Sequence, residues 1–320
     1  MRSARHLRGV IAGTAAALGV LIGLLAAPAA SADTRPAALP SAVNVITWNI
    51  CGGLTSCPNS DHPQRKLREL VNRKVDGQKL NVIMMQESCG RLHAAALQKM
   101  LGSGWAVQHR VAPLLATGKP APCAADGGRL DGGVTVAVQK MPGSDFVNDR
   151  DASAQSDGWN MTYTPARSDT PKLGTQGAAC LEDRGNKLLA CTTHLANENA
   201  DPNAAYRRDS VSSLHQQVKE YQDRGYRTIV GGDFNLEPDD SQIKPMYAGN
   251  FEADTDDKCN TAVHWTLGCT SPFGHKYDYI FFSDNGWDLK TGDVIRNGSW
   301  RYDYGRLSDH FMLQGAVNPV

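Results

Sequence analysis

The chain lacks an excess of charge of either sign: 33 Lys and Arg stand against 33 Asp and Glu in 320 residues, a formal net charge of zero. That balance gives no support to an extended basic grip on nucleic acid, although a local Arg/Lys patch can hold a phosphate backbone. Small phosphorylated substrates and lipid head groups stay open. No Cys-x-x-Cys pair occurs, so a structural zinc site has no framework. Asp254, Asp256 and Asp257 lack the Gly and terminal Glu of an EF-hand loop, and no such calcium site is expected. No Gly/Ser run, Pro-rich linker, block of like charge or internal repeat divides the interior, which argues against a string of modules.

Acidic residues are also missing from the first 32 positions. There Arg2, Arg5 and Arg8 precede an apolar Ala/Leu/Gly-rich stretch from Val10 to Ala27, followed by the small residues Ala30-Ser31-Ala32. This order predicts a cleaved export signal over 1–32 rather than a membrane anchor, and hence a secreted, extracellular protein without integral membrane association. Residues 33–41 read as a short Pro/Ala-rich tether, and 42–320 as one domain, because the candidate site residues singled out below come from both halves of it. Cleavage leaves 30 Lys and Arg against 33 Asp and Glu, a formal charge of about −3.

All eight cysteines lie beyond the leader, and an even number in an exported chain argues for disulfides. Local loops favour Cys51–Cys57, Cys180–Cys191 and Cys259–Cys269, leaving Cys89–Cys123. Oxidised cysteines cannot attack, so a nucleophilic cysteine is not expected.

Short apolar runs recur at Val43–Thr47, Val82–Met85, Val134–Val138, Leu188–Cys191, Thr228–Val230, Tyr279–Phe282 and Phe311–Leu313. Bounded by Gly, Asn, Asp or Ser, they read as strands, and their continuous rather than alternating apolarity predicts burial on both faces. Pro63 opens a helical stripe of Leu67, Leu70, Val71 and Val75, and Asp201-Pro202 opens another carrying Val211, Leu214, Val218 and Tyr221. A shorter helix is expected at Arg91–Leu101. The stretches 112–131 and 145–174 lack periodicity and read as long surface loops with embedded strands, where substrate choice would reside. A layered mixed α/β domain follows.

Polar motifs terminate several of these runs: Trp48-Asn49, Gln86-Glu87, His194 in "TTHL", Asp233-Phe-Asn235 in "GGDFN", Asp278 in "KYDYIFF" and Ser308-Asp309-His310. Carboxylates, amides and imidazoles brought by strand ends to one rim can hold a hard divalent cation and activate water, which reads as metal-dependent phosphoester hydrolysis. Glu87 is the best single ligand, and Asn49 offers a neutral amide oxygen to a metal or its water shell. Asp233 and Asn235, two apart on an extended backbone, would share one face while Phe234 points into the core. A carboxylate such as Asp278 fixes the tautomer of an imidazole such as His310. Arg207 and Arg208 read by default as a solvated helix face.

These motifs, in this order and over about residues 43–316, resemble the endonuclease/exonuclease/phosphatase superfamily, which includes deoxyribonuclease I and exonuclease III. The resemblance implies an α/β fold, a four-layer α/β/β/α sandwich of two packed mixed sheets flanked by helices. It implies Mg²⁺, or Mn²⁺ in its place, on Asn49, Glu87 and Asp309. Asp233 and Asn235 would orient the attacking water and contact the phosphate. The Asp278–His310 dyad would activate water or stabilise the charged transition state, and His194 would meet the scissile phosphate. In deoxyribonuclease I-like members that histidine has a Glu partner; the corresponding place here lies near Asp131-Gly132-Gly133, and two readings stay open, that Asp131 substitutes for it or that the partner is absent. The leading expectation is a secreted Mg²⁺-dependent endonuclease acting on DNA or another phosphodiester, a monomer without a stable protein partner. Alternatives are a sphingomyelinase-like or phosphoinositide phosphoesterase, for which no membrane-contacting hairpin is evident, and a non-catalytic binding module.

Overall fold

Two mixed sheets, laid face to face, dominate the computed structural model, which describes residues 39–59, 62–114, 119–146, 160–161, 178–256, 259, 268–295 and 307–320. The expected leader, most of the tether, Trp159, Asp257, His264, Trp265, Trp300 and most of the 145–174 loop lie outside the described residues. The first sheet runs β14 (Trp287–Ile295), β15 (Met312–Pro319), β1 (Val43–Asn49), β4 (Val82–Cys89), β7 (Arg129–Gln139) and β5 (Trp105–Val111), with β6 (Ala121–Cys123) also paired to β7. The second runs β12 (Asn250–Glu252), β13 (Asp278–Ser283), β11 (Arg227–Asp233), β10 (Leu188–His194), β9 (Ala178–Asp183) and β8 (Asn160–Met161). A small hairpin, β2 (Lys74–Val75) and β3 (Gln78–Lys79), stands apart. The β1–β4 and β10–β11 pairs are parallel, whereas β15 and β13 join them antiparallel.

Successive strand residues serve two different cores, which is why these segments are apolar throughout. In β1, Val43 and Val45 enter the core between the sheets, while Ile46 and Trp48 face outward onto Leu67 and Leu70 of α1 (Pro63–Asn72) and Leu97 of α2 (Ala95–Leu101). In β11, Ile229 faces inward and Val230 packs outward against Val211, Leu214 and Val218 of α3 (Ala205–Asp223). Helices thus cover both outer faces, completing the α/β/β/α layering.

The same alternation fixes where the polar strand ends point. Asn49, His194, Asp233 and Asp278 share the inward parity of Val45, Ala190, Ile229 and Ile280, so they gather where the two sheets meet at one end of the central core. Gln86 seals the floor beneath them: its Nε2 donates to Thr47 Oγ1 (2.9 Å) and, across the sheets, to Thr192 Oγ1 (2.7 Å).

Every apolar run named above lies in a strand except Phe311, which just precedes β15. The edge and outer strands β5, β9, β12 and β14 escaped the pattern. Val75 leaves the α1 stripe to join β2, because the helix ends at Asn72. The Arg91–Leu101 segment begins as a π-helical turn at Gly90–Ala94 before α2. All four disulfides form as the local-loop reading expected: Cys51–Cys57, Cys89–Cys123, Cys180–Cys191 and Cys259–Cys269. They mark an oxidising compartment. No helix among the described residues is long and apolar enough to cross a membrane.

Candidate active site

Asp233 is the hub. His194 is its register partner across β10–β11, and Asp278 is its partner across β11–β13. Its Oδ2 accepts the Asn49 amide Nδ2 at 3.0 Å and stands 3.5 Å from His194 Nε2 and 3.6 Å from His310 Nε2. Its Oδ1 accepts the backbone N–H of Asn235 at 3.0 Å. His310 Nδ1 lies 2.7 Å from Asp278 Oδ2, and Thr270 Oγ1 accepts the backbone N–H of both Tyr277 and Asp278 at 3.0 Å.

The C-terminal motif reaches this hub by docking on the end of β1. Ser308 Oγ donates to Asn49 O (2.6 Å), Trp48 Nε1 donates to His310 O (2.9 Å), and the Ser308 hydroxyl accepts His310 N–H (3.1 Å). Asp309 is half-buried and in electrostatic reach of Glu87 and His310.

Glu87 arrives by a less regular route. Strand parity would send it outward with Ile83 and Met85, but the β4–β7 register breaks between Met85 and Ser88, and Glu87 adopts left-handed backbone at φ 52°. Such an irregularity re-aims a side chain at the cost of local strain. Here it brings Glu87 Oε1 within 3.2 Å of Asn49 Nδ2.

Burial pushes the Glu87 carboxyl above the ordinary range, His194 pulls it back, and Asp309 pushes it further up. Burial also raises Asp278, while the His310 imidazole draws it down. For His310, burial acts to lower the pKa, but the Asp278 and Asp233 carboxylates overcome it and hold the ring well above the usual histidine value. His310 is therefore an imidazolium at neutral pH.

Three expectations need correction. Asn235 is not extended: β11 ends at Asp233, and Asn235 turns at φ 49°, with Nδ2 bonded to Leu195 O (3.0 Å). It still meets Asp233, through its backbone N–H, and Phe234 does enter the outer core. Asp131 does not partner His194: β7 places it beside the Cys89–Cys123 bridge, where its Oδ2 accepts the Arg91 backbone N–H (2.9 Å) and Arg129 Nε (3.1 Å). Arg207 is not on a solvated face; it is buried and its guanidinium donates to Asn235 O and Asp201 O. Arg208 is the exposed member, paired with Asp209.

The sequence reading missed Lys66, Thr270 and the bridging role of Gln86. A single Lys in an amphipathic helix or a lone Thr in a loop carries no motif; only tertiary contact marks it.

The donor set suits a hard divalent cation. Donor atoms of Asp233, Asp278 and His310 lie within 4.8 Å of one another, and Asp278 Oδ1 is buried without a hydrogen-bond partner among the described residues; a protonated His310 has no lone pair to give, so the carboxylates are the donors of this group. Glu87 and Asp309, both half-buried and within electrostatic reach of each other, add carboxylate oxygens. Asn49 Oδ1 accepts Cys51 N–H at 3.0 Å, leaving one lone pair for an ion or its water. The other His/Cys/Asp/Glu groupings use cysteines that are locked in disulfides.

The model of the Endonuclease/Exonuclease/phosphatase family matches residues 46–310. The chain belongs to that family. Among solved structures, the family fold recurs in the catalytic domain of human nocturnin with bound sulfate, 17% identical, with a TM-score of 0.60 over 88% of this chain and 94% of that one. It recurs in D. rerio TDP2 complexed with a single-strand DNA product, 17% identical, with a TM-score of 0.55 over 87% of this chain and 100% of that one. A family protein from Bacteroides thetaiotaomicron is 14% identical, with a TM-score of 0.56 over 88% and 98%. At these identities the likeness concerns the fold. No curated protein matches the chain in sequence.

Proposed function

We propose that this protein is an exported, divalent-metal-dependent phosphodiesterase that cleaves DNA internally, in the manner of deoxyribonuclease I. The single observation that carries the reading is the Asp233 hub, which both imidazoles, a carboxamide and a second carboxylate surround. Residues 1–32 are the export signal and 33–41 the tether of the catalytic domain that follows.

In this reading Glu87, Asp309 and Asn49 hold Mg²⁺ or Mn²⁺, which when bound neutralises charge on the phosphate. Asp233, with Asn235 beside it, orients the attacking water and takes its proton. The His310 imidazolium, held charged by Asp278, faces the charge that grows on the phosphoryl oxygens, and His194 meets the same phosphate from the other side. A persistent imidazolium is a better electrostatic stabiliser than base, which favours Asp233 for the proton. The chain acts as a monomer and needs no protein partner for this chemistry. The TDP2 structure, which holds single-strand DNA product, supports a nucleic-acid phosphodiester as substrate for the same fold.

The test is nicking of supercoiled plasmid by the oxidised protein with Mg²⁺ or Mn²⁺, beside an EDTA control and the His310→Ala variant. Nicking that requires both metal and His310 is expected. A folded protein that binds metal but leaves plasmid intact overturns the nuclease reading.

A further inference from the structure

Both site carboxamides stand where the chain leaves a strand through left-handed backbone, with φ 44° at Cys51 just after Asn49 and φ 49° at Asn235 itself. Residues other than Gly pay strain there, and the surroundings must hold them in place. At the first turn that role falls to Lys66, whose side chain is fully buried in α1. Its Nζ donates to Ile50 O at 2.8 Å and to Cys51 O at 2.9 Å.

Lys66 thus grips the peptide units whose geometry aims Asn49. Cys51 N–H donates to Asn49 Oδ1 (3.0 Å), which decides which end of the amide faces the hub. Nδ2 is then the end that reaches Glu87 Oε1 (3.2 Å) and Asp233 Oδ2 (3.0 Å), linking the acids of the two sheets. An apolar side chain at position 66 would avoid the desolvation of an amine but leave two buried carbonyls unpaired. Burial pushes Lys66 down to about 8, with Asp309 and Glu87 acting to raise it. Two N–H groups remain in either protonation state, enough for both carbonyls. The device recurs on the opposite helix, where buried Arg207 of α3 donates to Asn235 O.

We infer that Lys66 is a positioning residue that, through the carbonyls of Ile50 and Cys51, locks the Asn49 amide in the orientation used by the site. This rests on the site assignment proposed above, but not on the nature of the substrate.

The test compares Lys66→Met, Lys66→Arg, Asn49→Ala and the Lys66→Met/Asn49→Ala pair in the oxidised, ¹⁵N-labelled protein. The Asn49 side-chain amide resonances, assigned by their loss in Asn49→Ala, are expected to move in Lys66→Met and to return toward the wild-type position in Lys66→Arg. Mn²⁺ affinity by calorimetry is expected to fall about 10-fold or more in Lys66→Met. In the Asn49→Ala background the same substitution is expected to add little, because the effect runs through Asn49. An unmoved Asn49 amide, or an additive loss in the pair, overturns the inference. Should Lys66→Met not fold, hydrogen exchange of the Cys51 amide in the wild-type protein decides: protection supports the lock, and rapid exchange refutes it. None of these readouts needs turnover, so a failure to nick DNA would sink the nuclease reading alone.

Discussion

Asp233 and Asp278 face each other as register partners across β11 and β13, and the His310 ring spans them, 3.6 Å from the first carboxylate and 2.7 Å from the second. Two carboxylates so close in a buried setting would repel each other and raise the cost of ionisation. The imidazolium between them offsets that repulsion. It arrives from the segment that leads into β15 of the other sheet, so the pair also ties the two halves of the sandwich together.

Removing one partner of this arrangement is expected to make stability depend on pH in a defined direction. In Asp278→Asn, His310 loses the carboxylate that most strongly raises it. Because the folded-state pKa is above the unfolded value, the stability conferred by Asp278 is fully present below about pH 6.5, while the carboxylate is ionised, and is lost as pH climbs through the raised His310 value. Urea unfolding across this range is expected to show a deficit of about 3 kcal/mol at mildly acidic pH that shrinks as the solution becomes alkaline. A deficit that grows with pH would contradict the assigned protonation state.

Glu87→Gln keeps an oxygen for Asn49 Nδ2 while removing a charge from the proposed metal site. Mn²⁺ affinity measured by calorimetry is expected to drop by more than about 10-fold. Chelation, which lowers the melting temperature of the wild type if metal binds the folded state, is expected to shift the variant far less. Equal affinity in the two proteins would remove Glu87 from the ligand set.

Gly232 precedes the hub residue at φ 143°, and a Cβ there would sit 2.0 Å from Thr193 O. Gly232→Ala therefore must part β10 from β11 at the Thr193–Gly232 pair, next to the one that aligns His194 with Asp233. A loss of about 4 kcal/mol or more is expected in denaturant unfolding, with the variant mainly unfolded at 37 °C if the protein is of ordinary stability. A near-neutral result would show that the strands separate there without cost.

The Cys89–Cys123 bridge spans 34 residues and Cys51–Cys57 only 6. Loop-closure entropy then predicts a loss of about 4 kcal/mol when the first pair is replaced by Ser and about 2 kcal/mol for the second. The order is the informative outcome. A larger loss from the shorter loop would mean that Cys51–Cys57 acts chiefly on the native turn around Asn49.

The strand-end motifs were readable because their chemistry is local: an apolar run buried on both faces, ended by Asn49, Glu87, His194, Asp233 or Asp278, announces both the strand and the polar rim. The helix faces of α1 and α3 and the three short-loop disulfides were legible for the same reason, whereas Cys89–Cys123, 34 residues apart, followed only as the remaining pair. Edge strands such as β5, half-exposed and bearing Gln108, His109 and Arg110, gave no comparable pattern.

By itself, then, the sequence determined which polar side chains stand at the strand ends and the parity that turns most of them inward, since both follow from neighbours within one strand. Tertiary structure alone decided how they meet. A register break aims Glu87 inward against its strand parity, and β7 takes Asp131 away from His194. A buried lysine and a buried arginine, unremarkable in their helices, pin the turns behind Asn49 and at Asn235. These outcomes depend on contacts between residues far apart in the chain, whose energies exist only once both sheets have closed on one core.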